Sequence, residues 1–385
     1  MSIAMRLPVS ARKEHSRHKK ATPDRALGLD LGGLAAAEMW IKVFAAADVV
    51  RRAQAEALGA LGLAPKECRY HLVSSGRLWQ LREYFSEGHG PVVLIVAAPI
   101  KKPYVWDLAP GLSAVRYCLS EGKRIYLLEW APTQSGNGNA GLADYAGRSI
   151  AEAVASVLKA TGETKLFLMG HSLGGTLAAI YATLDPRHLL GLVLLGAPLC
   201  FAAGTSKFRD ALVLLAPRLS SDVDVVPGSL LSHISAVASP RTFIWSRLAD
   251  AALALSDRTT LETLARIERW TLDEVPLPGK LVEDILRLLY RDNSFCRQTL
   301  SIGDEVLGPS RFRCPTLAVV NTADEIAPLS SVAPFLDAAP VRDARIIKYP
   351  GESGVGLQHL AVLVGQKARA RVWPEINAWL EKHSA

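Results

Sequence analysis

Long apolar runs are missing from this chain of 385 residues. Because a membrane-spanning helix needs about 18 or more consecutive apolar residues, the sequence predicts no transmembrane segment. The basic residues near the start are not followed by an apolar core, so we also expect no secretory signal. The 49% hydrophobic and 21% charged residues are typical of a globular enzyme and argue against a disordered or fibrous protein.

Cysteine is scarce, and the cysteines that are present show no paired spacing. They are Cys68, Cys118, Cys200, Cys296 and Cys314. An odd number at irregular intervals is a poor framework for disulfide bonds. We therefore expect free thiols and a reducing, cytoplasmic location.

Positive charge is in excess, but most of the excess lies in one place. The formal net charge is +7, and residues 1–27 carry seven Lys or Arg against Glu14 and Asp24, which is a net charge of +5. The rest of the chain is therefore only +2, which argues against a nucleic-acid-binding face. We interpret residues 1–33 as a disordered basic tail, with contact to an anionic surface as the alternative.

The most informative stretch is an apolar run of strand length that passes directly into a helix-favouring series. Between the two lies Gly170-His171-Ser172-Leu173-Gly174. Gly-x-Ser-x-Gly is the pattern of a nucleophile elbow, a tight strand-to-helix turn that raises a serine hydroxyl above the sheet edge. We predict that Ser172 is a nucleophile and that the Leu173 amide, at the start of the helix, binds an oxyanion. The alternative is that Ser172 only caps a helix. His171 is expected to be a packing neighbour rather than a base.

Strand-like and helix-like segments alternate around this turn. The predicted core strands are Arg69–Leu72, Leu78–Tyr84, Val92–Ala97, Arg124–Leu128, Lys165–Met169, Leu192–Leu195, Thr316–Val320 and Ala344–Lys348. Such alternation is typical of a mostly parallel sheet with helices on both faces. Helical periodicities replace buried strands from Phe201 to Pro309, so we expect a helical cap there. The predicted divisions are a tail at 1–33, an N-terminal helix at 34–64, a core at 65–200 and 310–385, and the cap at 201–309.

The predicted N-terminal helix has an apolar stripe at three- and four-residue spacing. Its members are Met39, Trp40, Val43, Phe44, Ala47 and Val50. Such a stripe is expected to be buried against its own domain. The alternative is an interfacial helix that rests on a lipid or polymer surface.

A nucleophilic serine needs a base, and the base needs a carboxylate that orients it. In α/β hydrolases these partners follow the serine in the order Asp or Glu, then His. His359 is the predicted base, because the other downstream histidines lie after the elbow helix, in the cap or at the chain end. Asp324, just past the strand Thr316–Val320, is the predicted acid. Glu325 is expected to be a solvated loop acid.

The second oxyanion donor is expected in the loop that follows the strand Val92–Ala97. Pro99 in that loop has no backbone N–H. Ile100 is therefore the predicted donor, as a partner of the Leu173 amide.

Further motifs resemble those of polyhydroxyalkanoate synthases, especially the short form whose catalytic subunit lacks a long N-terminal domain. The segment Lys-Pro-Tyr-Val-Trp-Asp-Leu at 102–108 is similar to the family's Arg/Lys-Pro-Tyr and Asp-Leu motif. The other similar segments are Ser113–Tyr117, Ala143–Tyr145, Val226–Gly228, Arg266–Trp270, Gly365–Ala368 and Trp373–Pro374. The resemblance covers the chain from about Arg69 onwards. It implies an α/β-hydrolase fold with a cap, in which Asp324 and His359 match the family's catalytic acid and base.

Three positions depart from the family pattern. Ser172 stands where the synthases carry cysteine, and Asp324-Glu325 stands where they carry an Asp-His pair. A longer loop, Glu352–Gln358, precedes His359. A cysteine holds the growing chain as an activated thioester, whereas a serine holds it as an oxyester with less drive for onward transfer, and such sites generally finish with water.

We therefore predict a serine hydrolase that cleaves an ester or thioester of a (hydroxy)acyl substrate through Ser172, His359 and Asp324. The first alternative is a polyhydroxyalkanoate synthase or acyltransferase that uses hydroxyacyl-CoA with a serine nucleophile. The second is a non-catalytic relative that binds a polymer granule or a partner subunit. We expect no resident cofactor and no metal, although coenzyme A can be part of a substrate. The resemblance also allows granule-surface contact and a homodimer.

Overall fold

A computed structural model of the chain describes residues 33–133, 136, 138–216, 223–255 and 257–384, with the side chains of 33–37 left out. The chain divides between Trp40 and Ile41 into two compact units, of which the larger, Ile41–Ala385, contains the whole sheet. The predicted basic tail lies outside the described residues, except for residue 33.

The strands follow the apolar runs of the sequence. Their bounds are β1 Tyr70–Ser75, β2 Trp79–Tyr84, β3 Val92–Val96, β4 Asp107–Ala109, β5 Leu112–Ser113, β6 Arg124–Trp130, β7 Leu166–His171, β8 Leu189–Leu195, β9 Val225–Val226, β10 Leu277–Pro278, β11 Leu300–Ile302, β12 Glu305–Leu307, β13 Thr316–Asn321 and β14 Ala344–Tyr349. Each of the predicted core strands is confirmed, with ends that shift by up to three residues.

An eight-stranded sheet has the order β1-β2-β6-β3-β7-β8-β13-β14. The pairs β1/β2 and β2/β6 are antiparallel, and all the other neighbours are parallel. Successive side chains of β3 and β7 enter two different core clusters: Val92, Leu94 and Val96 lie in one, and Val93 and Ile95 in the other. Because side chains alternate across a strand, both faces of the sheet are covered, as predicted.

The helices lie mostly between the strands along the chain. Their bounds are α1 Gly33–Leu58, α2 Ala114–Ser120, α3 Ile150–Thr161, α4 Leu173–Leu184, α5 Lys207–Leu215, α6 Gly228–Ala238, α7 Ser246–Ala254, α8 Arg258–Leu272, α9 Gly279–Asp284, α10 Ala333–Ala338, α11 Ala361–Val364 and α12 Gln366–Ser384. Local chemistry sets several of the ends. The Ser113 hydroxyl and the Asp257 carboxylate accept backbone amides at the starts of α2 and α8, and Gly162, with φ of 73°, ends α3.

The segment predicted as the cap is mainly helical. It also contains two short antiparallel pairs, β9/β10 and β11/β12, which the sequence did not reveal. Strands of two or three residues are too short to show an alternating pattern. Within the described ranges, no helix is both long enough and apolar enough to cross a membrane.

Helix α1 packs with a different face from the one predicted. Four members of the predicted stripe are 41% to 57% exposed, namely Met39, Trp40, Val43 and Val50. Among the described side chains of α1, those of Asp48 and Ala55 are buried. Asp48 accepts hydrogen bonds from the amides of Gly228 and Ser229 at the start of α6, at 3.0 and 2.7 Å. A polar contact to a helix N-terminus therefore contributes to the orientation of α1, which the apolar spacing could not predict.

The expectation of unpaired cysteines is wrong at two positions. Cys200 and Cys296 form a disulfide with a Cα to Cα distance of 5.1 Å. The bond joins the loop after β8 to a turn that lies 96 residues further along the chain. Cys68, Cys118 and Cys314 are free. Disulfides are rare in reducing compartments, so this bond removes one ground for the cytoplasmic location, which stays a prediction.

Candidate active site

Ser172 lies between the end of β7 and the start of α4. Its backbone has φ of 54° and ψ of −135°, a region that residues other than glycine seldom occupy. The Ser172 amide donates to the Leu195 carbonyl at 3.1 Å, and its carbonyl accepts the Gly175 amide at 3.0 Å. Backbone bonds to β8 and to the first turn of α4 therefore keep the serine in a strained turn.

Two glycines make this turn sterically possible. A Cβ on Gly174 would lie 2.3 Å from the Val96 carbonyl oxygen, and a Cβ on Gly170 would lie 2.5 Å from the Cα of Gly175. Both distances are far below van der Waals contact. The spacing of the motif thus reflects the close approach of α4 to β3 and to its own preceding strand.

Asp324 and His359 meet beside this turn. His359 lies on a 3-10 turn and is 7% exposed, and Asp324 follows β13 and is 3% exposed. The imidazole Nδ1 is 2.6 Å from Asp324 Oδ2, and the other carboxylate oxygen accepts the Ile326 amide at 2.8 Å. His359 Nε2 is buried and makes no hydrogen bond to any described residue. A carboxylate on Nδ1 favours the tautomer in which Nε2 is an acceptor.

One cavity of about 500 Å³ adjoins the turn that carries Ser172 and the loop that carries His359. Ser172 and His359 line it, and so do the predicted oxyanion residues Leu173 and Ile100. Nε2 does not bond the serine hydroxyl directly, and such hydrogen bonds are often long before substrate binds. The structure therefore brings together residues predicted from far-apart parts of the sequence, and Ser172 and His359 border a space where a substrate fits.

Asn321 connects the loops that carry the acid and the base. It is the last residue of β13, and its Nδ2 donates to the carbonyl of Gln358, the neighbour of His359, at 2.7 Å. Its Oδ1 accepts the Ala323 amide at 2.9 Å, next to Asp324. Asn321 was not among the predicted site residues, although a polar residue at the carboxyl end of a buried strand is a usable signal.

His171 makes a second contact to the base. Its Nε2 donates to the backbone carbonyl of His359 at 2.7 Å, and the two ring centroids are 4.6 Å apart. Burial, together with the neighbouring His359, lowers the pKa of His171 to about 3. A neutral imidazole at this position can donate its Nε2 proton throughout the neutral range. His171 is therefore more than a packing neighbour, because it contacts the backbone of the predicted base.

The low pKa of His171 predicts a pH-dependent stability. The unfolded chain protonates this imidazole near its ordinary pKa of about 6.5, whereas the folded protein does so only near 3. Above pH 6.5 or so the imidazole is neutral in both states, and the protein has its full stability with respect to this group. As the pH falls from there towards 3, the free energy of unfolding decreases by about 1.4 kcal/mol per pH unit. We expect His171→Gln to lack this dependence in denaturant unfolding measured at a series of acidic pH values.

His188→Gln is the matched control, because His188 is an exposed loop imidazole. When the pH is lowered, we expect the free energy of unfolding of His188→Gln to decrease as steeply as that of the wild type. Identical slopes for the wild type and His171→Gln would contradict the assignment.

Glu325 is not the solvated acid that was expected. One of its carboxylate oxygens accepts hydrogen bonds from the hydroxyls of Ser239 and Thr242, at 2.8 and 2.7 Å. Burial raises the pKa of Glu325, but these hydroxyls and the nearby Arg241 outweigh it and hold that pKa below its usual value. Glu325 thus bonds the acid loop to the predicted cap segment. The partners lie more than 80 residues away, so the local sequence carried no sign of them.

The cavity has an apolar wall and a charged wall. The apolar wall comes mainly from the predicted cap and includes Phe201, Phe208, Leu212, Phe243, Leu286 and Tyr290. The charged wall contains Arg51, Lys101, Lys102 and Arg247. Trp270 also lines the cavity, whereas Trp245 is 66% exposed on the surface. An apolar chain fits the first wall, and a polar or anionic group fits the second.

No group of three or more His, Cys, Asp or Glu side chains in the described part of the chain is placed to hold a metal ion. The expectations of no metal and no cofactor stay predictions. The geometry described for Ser172, His359 and Asp324 does not depend on either expectation.

Known proteins provide an independent comparison. A family model described as the alpha/beta hydrolase fold matches residues 108–351. Proteins named poly(3-hydroxyalkanoate) polymerase subunit PhaC are also similar to this chain. The one from Haloferax mediterranei is 26% identical over 91% of this chain and 70% of its own length. The one from Allochromatium vinosum is 25% identical over 83% and 89%. The resemblance to this group is thereby confirmed.

Solved structures of low sequence identity share the fold. A monoacylglycerol lipase of Paleococcus ferrophilus has a TM-score of 0.51 at 20% identity, covering 80% of this chain and 100% of that one. A soluble variant of the monoglyceride lipase of Saccharomyces cerevisiae has a TM-score of 0.53 at 16% identity, covering 84% and 96%. At these identities the likeness concerns the fold alone.

Proposed function

The chain belongs to the α/β-hydrolase fold family, and on that premise we propose that it is a serine hydrolase. Its substrate would be an ester or thioester of a (hydroxy)acyl group. The catalytic residues would be Ser172, His359 and Asp324. Membership of this family, together with the polymerase relatives, makes the protein an enzyme that acts on ester or thioester bonds. The three catalytic residues and the fate of the acyl group are the proposed part.

The observation that carries the proposal is the environment of His359. Its Nδ1 is 2.6 Å from the buried Asp324 carboxylate, its Nε2 makes no hydrogen bond to any described residue, and both His359 and Ser172 line the same cavity. A serine in a strained strand-to-helix turn, an imidazole with a free acceptor and a buried carboxylate are the groups that acyl transfer requires. A purely structural ion pair would not need a half-buried serine and a cavity of substrate size next to it.

The geometry supports the following sequence of steps. Ser172 Oγ attacks the substrate carbonyl carbon while His359 Nε2 takes the hydroxyl proton. Asp324 stabilises the imidazolium that forms, without taking the proton itself. The developing oxyanion accepts hydrogen bonds from the amides of Leu173, the first residue of α4, and Ile100. His359 then returns the proton to the leaving group, and an acyl-serine remains until water attacks it by the same steps.

The cavity supports an acyl substrate. The aromatic and aliphatic side chains on the cap side can bury an alkyl chain, and this burial is worth about 0.8 kcal/mol per CH₂ group. The charged lining residues suit a carboxylate, a hydroxyl or the phosphates of coenzyme A. Granule contact, a homodimer and the cytoplasmic location remain predictions.

The polymerase relatives favour a second candidate, in which the acyl group passes to another hydroxyl instead of water. They match this chain over most of its length, and they are named as polymerase subunits. In this case Ser172 would carry a growing hydroxyalkanoate chain. The same three residues would serve, and the difference would lie in the acceptor.

A 3-hydroxybutyryl-CoA assay separates the two candidates. We expect release of coenzyme A without polymer, because an oxyester on Ser172 leaves less drive for transfer than a thioester. Ser172→Cys, assayed beside the parent, should shift the products towards polymer if the nucleophile decides the outcome. Polymer formed by the parent enzyme would instead establish the synthase. Absence of Ser172 labelling by a fluorophosphonate probe would argue against both.

A further inference from the structure

The loop that carries Ile100 is bound to the predicted cap segment on the side of Lys101 and Lys102. We refer to residues 98–102 as the oxyanion loop. Lys101 pairs with Glu274 in an isolated antiparallel bridge. The indole Nε1 of Trp270 donates to the Lys102 carbonyl at 2.8 Å. The backbone next to the predicted oxyanion donor is therefore positioned by residues about 170 positions further along the chain.

The Glu274 side chain lies at the centre of a buried charge cluster. It is completely shielded from solvent and accepts hydrogen bonds from Lys101 Nζ at 2.8 Å, Arg51 Nε at 3.1 Å and Ser232 Oγ at 3.1 Å. Lys101 Nζ also donates to the Thr271 carbonyl at 2.6 Å. One carboxylate thus connects α1, α6, the segment after α8 and the oxyanion loop.

The cations of this cluster depend on that carboxylate. Burial lowers the pKa of Lys101, Glu274 opposes this effect, and the charges of Arg51 and Arg247 add to the lowering. Without Glu274, the mostly buried Lys101 and the one-third exposed Arg51 would be neighbouring like charges without this counter-ion. Such charges move towards water, and an ammonium can also lose its proton. The contact that joins the Lys101 side chain to Glu274 would then be lost, which loosens the loop that carries Ile100.

We propose that Glu274 is a positioning residue that binds Lys101 and so directs the Ile100 amide at the reaction centre. The inference rests on the proposed function, because it concerns the oxyanion of that reaction. It also gives α1 a role in catalysis, since Arg51 of this helix binds both Glu274 and the Thr271 carbonyl, the latter at 3.0 Å. An oxyanion donor acts mainly in the transition state, so its displacement lowers kcat and leaves KM almost unchanged.

Glu274→Gln tests this role, with Glu262→Gln as the matched control. Glu262 is also a carboxylate of the predicted cap, and its bonded partner is Arg266 rather than the oxyanion loop. We expect kcat per active site, counted by titration with a fluorophosphonate, to fall about 10- to 100-fold in Glu274→Gln. KM for a short p-nitrophenyl ester should stay within about twofold. Glu262→Gln should behave as the wild type does.

Hydrogen exchange of residues 98–102 gives a readout that does not require activity. We expect faster exchange there in Glu274→Gln than in Glu262→Gln, with no change at the start of α4. Equal exchange in the two variants would overturn the proposal whether or not the chain hydrolyses esters. Faster exchange with an unchanged kcat per site would overturn it too.

Two further observations distinguish a failure of the proposed function from a failure of the role proposed for Glu274. Turnover by the wild type that does not depend on Ser172 would defeat the proposed function, whereas the exchange data would still decide what Glu274 positions. If Glu274→Gln does not fold, Lys101→Met removes the same contact from the other side. The same loss of kcat is expected there, and a wild-type kcat per site in Lys101→Met would reject the role of Glu274.

Discussion

Replacing Ser172 with alanine is expected to lower kcat for short p-nitrophenyl esters by about 10⁴-fold or more. Without the hydroxyl no acyl-enzyme can form, and only binding and the oxyanion amides remain to assist attack by water. The fold should be retained, because the backbone bonds of Ser172 to Leu195 and Gly175 do not involve its side chain. Initial rates, together with a thermal melt of each variant, measure both parts of the expectation.

Ser120→Ala is a suitable control for this measurement. Ser120 ends α2, and its hydroxyl bonds a carbonyl of its own helix at an exposed position. We expect its kcat to equal that of the wild type. Hydrolysis that persists undiminished in purified Ser172→Ala would show that another group is the nucleophile.

Asp324→Asn is expected to lower kcat by about 10⁴-fold while leaving KM nearly unchanged. In the wild type the Asp324 carboxylate accepts a hydrogen bond from His359 Nδ1 at 2.6 Å, which leaves Nε2 free to accept a proton. An amide can place its NH₂ group towards Nδ1 instead, which favours the other tautomer and puts the proton on Nε2. The base would then be unable to take the serine proton. Separate values of kcat and KM, measured for Asp324→Asn and the wild type with the same short p-nitrophenyl esters, test this expectation.

The adjacent acid provides the matched control. Glu325→Gln removes a charge next to Asp324, but its carboxylate bonds Ser239 and Thr242 rather than the imidazole. We expect a change in kcat of less than about tenfold, with a lower melting temperature from the weakened contact. A loss in Glu325→Gln as large as that in Asp324→Asn would mean that the acid has been assigned to the wrong residue.

The region around Ser172 could be predicted from the sequence because its constraints are local. Gly170 and Gly174 are needed where a strand turns directly into a helix, and those steric demands fall on residues that are adjacent in the chain. The buried strands were predictable for a similar reason. A strand covered on both faces must be apolar at nearly every position, so β3, β7 and β13 were visible as short apolar runs.

The positions of Asp324 and His359 were predictable from their order along the chain. Loops that follow parallel strands meet at one edge of the sheet, so a carboxylate after β13 and a histidine after β14 are brought near the serine after β7. The residues that support these two loops were harder to predict from the sequence. Asn321 contacts loop backbones through two hydrogen bonds and His171 through one, and isolated bonds of this kind leave no periodic pattern in the sequence.

The sequence by itself determined the succession of strands and helices along the chain, the strained serine turn and the order of the candidate catalytic residues, because each follows from neighbouring residues or from topology. Only the tertiary structure decided which face of α1 packs, that Cys200 bonds Cys296, and that Glu274 lies between Arg51 and Lys101. These contacts join residues 96 to 223 positions apart. Pairing over such separations is decided by the packing of the whole chain, and one sequence contains no local record of it.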